Sequence, residues 1–470
     1  MALLSFLDRE RSIAEPGYSR WLVPPAALAI HLCIGQVYAF SVFKLPLSTL
    51  LGGATAAPGD WKQSTIAWIF SLAIVCLGLS AAIWGAWLER VGPRRAMFTS
   101  ACCFGGGFLV GSAGIATHQF WLLALGYGVL GGIGLGIGYI SPVSTLIKWF
   151  PDRPGMATGL AIMGFGGGAM IASPLSVFLM GQFKTATSPG VAETWVAMGI
   201  IYFLFMMFGV FSIRLPAPGW KPDGYTAPAA GSHALGTANV LVNEAMRTPQ
   251  FYLLWVMLCV NVTAGIGILE QASPMIQEIF SPAITAAAAA GFVGLLSLAN
   301  MLGRFGWSSF SDIIGRKATY ATFFILGMII YWSIPIIGDG GKVWLFVLAA
   351  VVAISVYGGG FATIPAYLRD MFGPQHVGAI HGRLLTAWST AGVLGPLLVN
   401  GIRESRVAAG LTKTDVYAPS MHIMVGLLFV GFVCNLLVRP VSPSHFATET
   451  AEMRAVPPLP TGGVRAGATT

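Results

Sequence analysis

Apolar runs of about 20 residues recur along the whole chain, separated by short polar connections. A run of that length crosses the hydrocarbon core of a bilayer as a helix, which rises ~1.5 Å per residue. Of the 470 residues, 55% are hydrophobic and 9% are charged, whereas a soluble domain has roughly 25% charged residues. The runs lack the alternation of membrane barrel strands. The chain is therefore predicted to be an all-α polytopic membrane protein.

Twelve spans can be placed in two sets of six. The predicted limits are 22–43, 64–87, 95–115, 119–143, 156–181 and 194–213 in the first half, and 251–272, 286–308, 318–338, 343–366, 378–402 and 420–438 in the second. The predicted organisation is an N-tail (1–21), a six-helix half (22–213), a connector (214–250), a second six-helix half (251–438) and a C-tail (439–470).

Basic residues predict the orientation of the spans. With the N-terminus inside, most of the 26 Lys and Arg residues fall in the inner loops, the tails and the connector. Cytoplasmic segments of membrane proteins carry such an excess. We therefore expect both termini in the cytoplasm. The basic residues are scattered singly and in pairs, which indicates topology signals and lipid contacts, not nucleic-acid binding.

The two halves resemble each other in sequence. Residues 150–174 and 372–396 both begin with Phe and reach a Pro 24 residues later, through a Gly-bearing loop and a small-residue-rich helix. Each follows a Gly-rich span with a Pro near its cytoplasmic end. The similarity predicts two duplicated six-helix halves. This is a transporter architecture, in which the substrate site lies near the midplane between the halves.

Two arginines, Arg304 and Arg383, fall inside predicted spans. A guanidinium in hydrocarbon costs roughly 2.5 kcal/mol or more, so an anionic substrate, a carboxylate partner or snorkelling to the surface must offset that cost. Asn300 is four residues before Arg304 and therefore shares its helix face. The nearest acid along the helix, Asp312, is roughly 12 Å away. Arg383 is close to the start of its span, where snorkelling is a real alternative.

The loop after the second span reads GAWLERVGPRR, from Gly85 to Arg95. It resembles the signature loop of the major facilitator superfamily, with Glu89 at the position usually held by Asp. The resemblance implies the major facilitator fold and a conformational latch. Glu89 is expected to pair with Arg90, with Arg94 or with the end of a neighbouring helix.

The corresponding loop of the second half reads SSFSDIIGRK, from Ser308 to Lys317. It keeps Asp312 and Arg316 and lacks the first glycine and the first base. The loss predicts a weaker latch in this half.

Within the superfamily, the chain resembles the oxalate/formate antiporter branch and, more loosely, the monocarboxylate transporters. The blocks that carry this resemblance are 35–43, 138–160, 261–277, 299–312 and 373–396. The resemblance implies that Arg304 binds a substrate carboxylate. The branch's oxalate exchangers have a lysine in the eleventh span, and Trp388 occupies that position here. One cation favours a monocarboxylate, whereas Arg383 facing inward would favour a dicarboxylate.

Aromatic residues are expected to line the site together with these arginines and Asn300. Tyr38, Tyr139, Tyr357 and Trp388 lie on segments that line the pathway in this fold, and tyrosine hydroxyls can bond carboxylate oxygens. Each of them could instead serve packing alone. The cysteines and histidines lack metal-ligand spacing. We therefore expect no metal, no cofactor and no enzymatic activity.

These observations predict a secondary transporter of small carboxylate anions, such as formate or lactate, with oxalate as a further candidate. No Asp or Glu lies deep in a predicted span, which favours antiport over proton-coupled symport. The symporter remains the alternative, and a membrane sensor without net transport is the alternative from another class. We expect a monomer in a bacterial cytoplasmic (inner) membrane, with the bilayer and a small organic anion as its partners.

Overall fold

A computed structural model of the chain describes residues 2–52, 57–185, 188–225 and 239–446. Twelve helices within these ranges build two halves. The first half contains α1 (Val23–Ile34), α2 (Gln63–Val91), α3 (Pro93–Ala116), α4 (Phe120–Trp149), α5 (Pro154–Phe183) and α6 (Val191–Ser212). The second half contains α7 (Pro249–Ile279), α8 (Ala286–Ile314), α9 (Arg316–Asp339), α10 (Val343–Phe372), α11 (Val377–Ala408) and α12 (Thr414–Leu437).

The membrane prediction agrees with these helices. Eleven segments of the described chain are long and apolar enough to cross a bilayer. They correspond to every predicted span except the eighth. That span is α8, whose 29 residues extend roughly 44 Å and so exceed the ~30 Å hydrocarbon core. The predicted all-α fold with twelve spans is confirmed.

Several helices extend beyond the apolar runs that predicted them. α7, α8, α10 and α11 each continue for about six residues past the predicted span. Hydropathy marks only the part of a helix that meets lipid, whereas backbone hydrogen bonding continues into polar sequence. The extensions carry charged residues that act at the two faces of the protein.

The first span is broken where the sequence predicts a continuous helix. α1 ends at Ile34 and is followed by a 3-10 turn, Gly35–Ala39, and a short helix, Ser41–Leu47. This turn packs directly on α5, and a Cβ at Gly35 would overlap the backbone of Phe165. This close approach therefore requires glycine at position 35. It also places the rest of the 3-10 turn at the interface between the halves.

The halves meet mainly through three helix pairs: α5 packs against α8 and against α10, and α2 packs against α11. The described part of the predicted connector covers 214–225 and 239–250, and that of the C-tail covers 439–446. A short helix, Val242–Ala245, lies in the connector close to the start of α11. The remainder of both predicted segments lies outside the described residues.

Candidate functional site

Arg304 lies on α8 at the interface of the halves and is fully buried. Its guanidinium carbon is 5.6 Å from the ring centroid of Phe165 on α5 and 5.4 Å from that of Phe361 on α10. Arginine over an aromatic face gains cation–π stabilisation, and more so where water is excluded. No ion pair with Arg304 occurs among the described residues. The guanidinium charge is therefore stabilised by two aromatic rings and not by a carboxylate.

The hydrogen-bonding capacity of Arg304 is only partly used. Its Nε donates to Asn300 Oδ1 at 3.0 Å, so the same-face pair predicted from sequence is formed. Nη1 and Nη2 make no hydrogen bond of good geometry within the described ranges. The side chains of Tyr38 and Tyr139 face the guanidinium. Buried charged donors are rarely left unpaired, so the two amino groups are placed to receive an acceptor.

Tyr38 and Tyr357 connect the halves beside this arginine. Their hydroxyl oxygens are 3.1 Å apart. Tyr38 comes from the turn that breaks the first span, and Tyr357 lies on α10. An acceptor that reaches the guanidinium would therefore also meet these two hydroxyl groups. The hydroxyls can give up the hydrogen bond between them and donate to the acceptor instead.

Trp388 on α11 completes the aromatic surroundings. Its ring packs edge-on against Tyr139 at 5.4 Å, Phe165 at 5.3 Å and Phe361 at 4.5 Å between centroids. Its indole Nε1 has no hydrogen-bond partner in the described chain. We name this group the arginine cluster, defined as Arg304, Asn300, Tyr38, Tyr139, Tyr357, Trp388, Phe165 and Phe361. The structure thus brings together six of the seven substrate-site residues predicted from sequence.

A cavity of about 560 Å³ leads to the arginine cluster from one side. Tyr38, Gly166 and Asn300 line its inner end, and Lys44 and Glu404 line its outer part. The cavity lies toward the loops that charge counting predicts to be outside. The guanidinium lies behind Asn300 and is hidden from the cavity.

On the side of the protein opposite the cavity, an acidic residue of the second half, Asp312, bonds to the first half and closes the interface. Asp312, at the end of α8, accepts hydrogen bonds from the backbone N–H groups of Gly155 and Met156, both at 2.8 Å, at the start of α5. A carboxylate at a helix N-terminus is favoured by the free N–H groups and the helix dipole. Arg316 pairs with Asp312 at 2.6 Å and with Asp370 at 2.9 Å. The reduced motif predicts a weaker latch here, yet these contacts cross the interface between the halves directly.

The acid of the first half uses side-chain partners. Glu89 pairs with Lys148 Nζ at 2.6 Å and accepts a hydrogen bond from Ser144 Oγ at 2.7 Å. It also borders the start of α11. Gly85, one turn earlier, allows α2 and α11 to touch, because a Cβ there would lie 2.8 Å from Ala379 Cα. Both motif acids therefore reach the first turn of a helix that belongs to the other half.

Of the alternatives expected for Glu89, pairing with Arg90 or Arg94 is not observed, whereas contact with the end of a neighbouring helix is, because Lys148 lies at the end of α4. Arg90 is exposed. Arg94 is buried and donates to the backbone oxygens of Phe6 at 3.1 Å and Arg11 at 2.9 Å. The reason is positional, since Arg94 begins α3 and faces the N-terminal segment packed beneath it. Arg94 therefore holds that segment to the first half.

Arg383 lies apart from the arginine cluster. It is half-buried, and its Nη1 donates to Asn243 Oδ1 at 2.8 Å and to the backbone oxygen of Val242 at 3.4 Å in the connector helix. This position corresponds to the snorkelling alternative, since the long side chain turns back toward the surface that charge counting predicts to be cytoplasmic. Arg383 is therefore not a second cation beside Arg304, and the arginine cluster contains a single cation, Arg304.

We expect Arg383→Gln to keep uptake of the predicted carboxylate substrate within about threefold of that of the unaltered protein. A neutral amide can still donate to Asn243, and the lost charge lies at the surface, where such interactions contribute roughly 1 kcal/mol or less. Initial uptake rates in proteoliposomes measure this effect. A loss of more than tenfold, with normal folding, would place Arg383 in the transport pathway.

Phe165 and Phe361 are the members of the cluster that sequence reasoning missed. A phenylalanine in an apolar span carries no distinguishing signal, and only the tertiary structure shows that both rings face one guanidinium. The structure also places two buried histidines beside Tyr139. The ring centroids of His31 and His381 are 5.4 Å and 5.9 Å from that of Tyr139.

Fold and site together define a helical membrane carrier whose two halves enclose a cavity that ends beside a buried cation. The sequence model of the Major Facilitator Superfamily matches residues 26–396. The chain belongs to this family of membrane transporters, as the signature loop predicts, and is not an enzyme.

Known relatives and structures agree with this assignment. The oxalate:formate antiporter of Oxalobacter formigenes is 25% identical over 90% of this chain and 93% of its own. The apicoplast pyruvate carrier 1 of Toxoplasma gondii is 23% identical over 70% of this chain and 68% of its own. A structure of the E. coli fucose:proton symporter FucP covers 90% of this chain and 100% of its own, with 13% identity and a TM-score of 0.63, and thus shares the fold.

Proposed function

We propose that this protein carries small monocarboxylate anions across a bacterial cytoplasmic membrane by alternating access, with both termini inside. The observation that carries the proposal is Arg304, a fully buried cation without an acidic partner in the described chain, whose Nη1 and Nη2 face the hydroxyl groups of Tyr38 and Tyr139 without a hydrogen bond of good geometry. A carboxylate fits this gap, because guanidinium and carboxylate form two parallel, charge-assisted hydrogen bonds. The names of the two relatives, which concern oxalate, formate and pyruvate, support the same substrate class.

One cation in the arginine cluster favours a single carboxylate. Trp388 stands where oxalate exchangers of the resembling branch have lysine, and Arg383 donates to the connector instead. The second carboxylate of oxalate would lie against aromatic rings without a positive partner, and an unpaired buried charge is strongly unfavourable. Formate, lactate and similar acids are therefore preferred over oxalate in this proposal.

The same isolated charge favours exchange over net movement. Reorientation of the empty carrier moves Arg304 through the closed interface without a counter-ion, whereas a bound carboxylate neutralises it. Return of the carrier is then fastest with a second anion bound. The specific observation that favours proton-coupled symport instead is the pair of buried histidines, His31 and His381, on either side of Tyr139.

Proteoliposomes containing the purified protein test the proposal. We expect uptake of labelled formate or lactate, accelerated at least several-fold by the same unlabelled acid trapped inside, and weaker uptake of oxalate. Liposomes with Arg304→Lys protein are the matched control, because lysine keeps the charge and loses the planar fork.

Three results would contradict parts of this proposal. The absence of flux for every carboxylate would refute carboxylate transport. Full transport by Arg304→Lys would refute the anchor. Uptake driven by an inward proton gradient, without acceleration by internal anion, would replace exchange with symport.

A further inference from the structure

The walls of the cavity above the arginine cluster bear on the shape of the substrate. We propose that the preferred substrate is an amphipathic monocarboxylate with a hydrocarbon body of several carbons. Its carboxylate replaces the hydrogen bond between Tyr38 and Tyr357 to reach Arg304, while its body lies against the apolar walls of the cavity. This inference rests on the proposed function and narrows its substrate class.

Both halves contribute apolar surface to the cavity. The first half provides α2 and the broken first span, and the second half provides α7, α8 and α11. Representative apolar lining residues are Phe40, Ala67, Phe70, Ile266, Val293 and Leu397. A hydrocarbon chain that leaves water for such walls gains free energy in proportion to the area it buries.

Charge is confined to the outer part of the cavity. Lys44, just past the broken turn, and Glu404, near the end of α11, are the charged lining residues of the described chain. The neutral polar lining includes Asn400, which accepts a hydrogen bond from Gln271. Between Asn300 at the inner end and Lys44, a substrate therefore meets no cation. A second carboxylate close to the first would be desolvated there without a partner.

The volume of the cavity exceeds what the smallest acids need. About 560 Å³ is open above the cluster, which falls in the range of roughly 300–1,000 Å³ typical of pockets for drug-sized ligands. A one-carbon acid would leave the apolar walls wet, whereas a four- to six-carbon acid would displace that water. The walls therefore discriminate in favour of longer acids.

Chain length gives this inference a quantitative expectation. Complete burial of one methylene group corresponds to at most about a fourfold gain in affinity. Acetate, butanoate and hexanoate should therefore bind with dissociation constants that fall several-fold at each step. Hexanedioate, which replaces the terminal methyl of hexanoate by a second carboxylate, should bind at least tenfold more weakly than hexanoate.

Thermal-shift titration of the full-length purified protein with these four acids measures the dissociation constants without requiring transport, because a ligand that binds the folded state raises the melting temperature. Ala67→Phe should fill part of the apolar wall and weaken hexanoate binding at least fivefold, with acetate changed less than twofold. Leu79→Phe, on an exposed face of the same helix, is the matched control and should leave the series unchanged. The melting temperature without ligand reports whether each variant folds.

The outcomes separate this inference from the proposed function. Equal affinity for acetate and hexanoate, with binding that still requires Arg304, would overturn the apolar-body inference alone. Stronger binding of hexanedioate than of hexanoate would overturn it as well and would indicate that Lys44 pairs with the distal carboxylate. Failure of all four acids to bind would overturn the proposed function together with it.

Discussion

Arg304→Met is expected to abolish carboxylate transport and, at the same time, to raise the melting temperature by a few degrees. Methionine retains much of the apolar volume between the Phe165 and Phe361 rings and removes the charge. Loss of a desolvated charge pair with the substrate costs about 2–5 kcal/mol, or roughly 30- to several-thousand-fold in transport at subsaturating substrate. The protein without substrate gains stability, because an isolated buried cation is replaced by an apolar side chain.

Arg316→Met is the matched control for this pair of effects. Arg316 is also nearly buried, yet it is paired with Asp312 and Asp370. Its removal leaves Asp312 without a cation and Asp370 with Arg369 alone. It should therefore lower the melting temperature, the opposite of the Arg304 result. Scanning calorimetry or fluorimetry in detergent, together with proteoliposome uptake, measures both quantities. A lower melting temperature for Arg304→Met would show that the native arginine is already neutralised.

Asp312→Asn should shift the carrier from the conformation described here toward one that opens on the side of Asp312. The carboxylate bonds two N–H groups at the start of α5 and one arginine, all at the closed face. Hydrogen bonds to charged groups contribute about 1.5–3 kcal/mol each, so loss of one such bond shifts the two-state ratio by roughly tenfold or more.

Distances between spin labels on the ends of α5 and α8 that lie beside Asp312 measure this shift in reconstituted protein. Glu89→Gln is the matched control in the first half. Its bonds run to the side chains of Lys148 and Ser144, which belong to the same half, so we expect a smaller shift. An equal distance distribution for Asp312→Asn and the unaltered protein would mean that other contacts keep this face closed.

Much of the fold follows from local sequence because lipid imposes a simple rule. A backbone in hydrocarbon must satisfy its own hydrogen bonds, so every apolar run of sufficient length becomes a helix. The ends of those helices do not obey this rule. α8 continues six residues past the predicted limit to Ile314, and this extension is what carries Asp312 to the start of α5.

The site could be predicted only where its residues share a helix or a family motif. Asn300 and Arg304 are four residues apart, and helical geometry alone makes them neighbours. The break at Gly35–Ala39, which positions Tyr38, depends on close packing against Phe165. No local pattern encodes that contact, because the two segments are more than a hundred residues apart.

Sequence alone therefore determined the class of protein, its twelve spans and the presence of a cation inside the eighth. Those properties depend on hydropathy and helical spacing, which are local. Tertiary structure decided which groups surround that cation. Arg383 donates to Asn243, and Glu89 pairs with Lys148 instead of Arg94. Arg304 lies between two phenylalanine rings, and its two amino groups make no hydrogen bond of good geometry. Contacts between distant segments are set by how the helices pack, and packing depends on the whole chain at once.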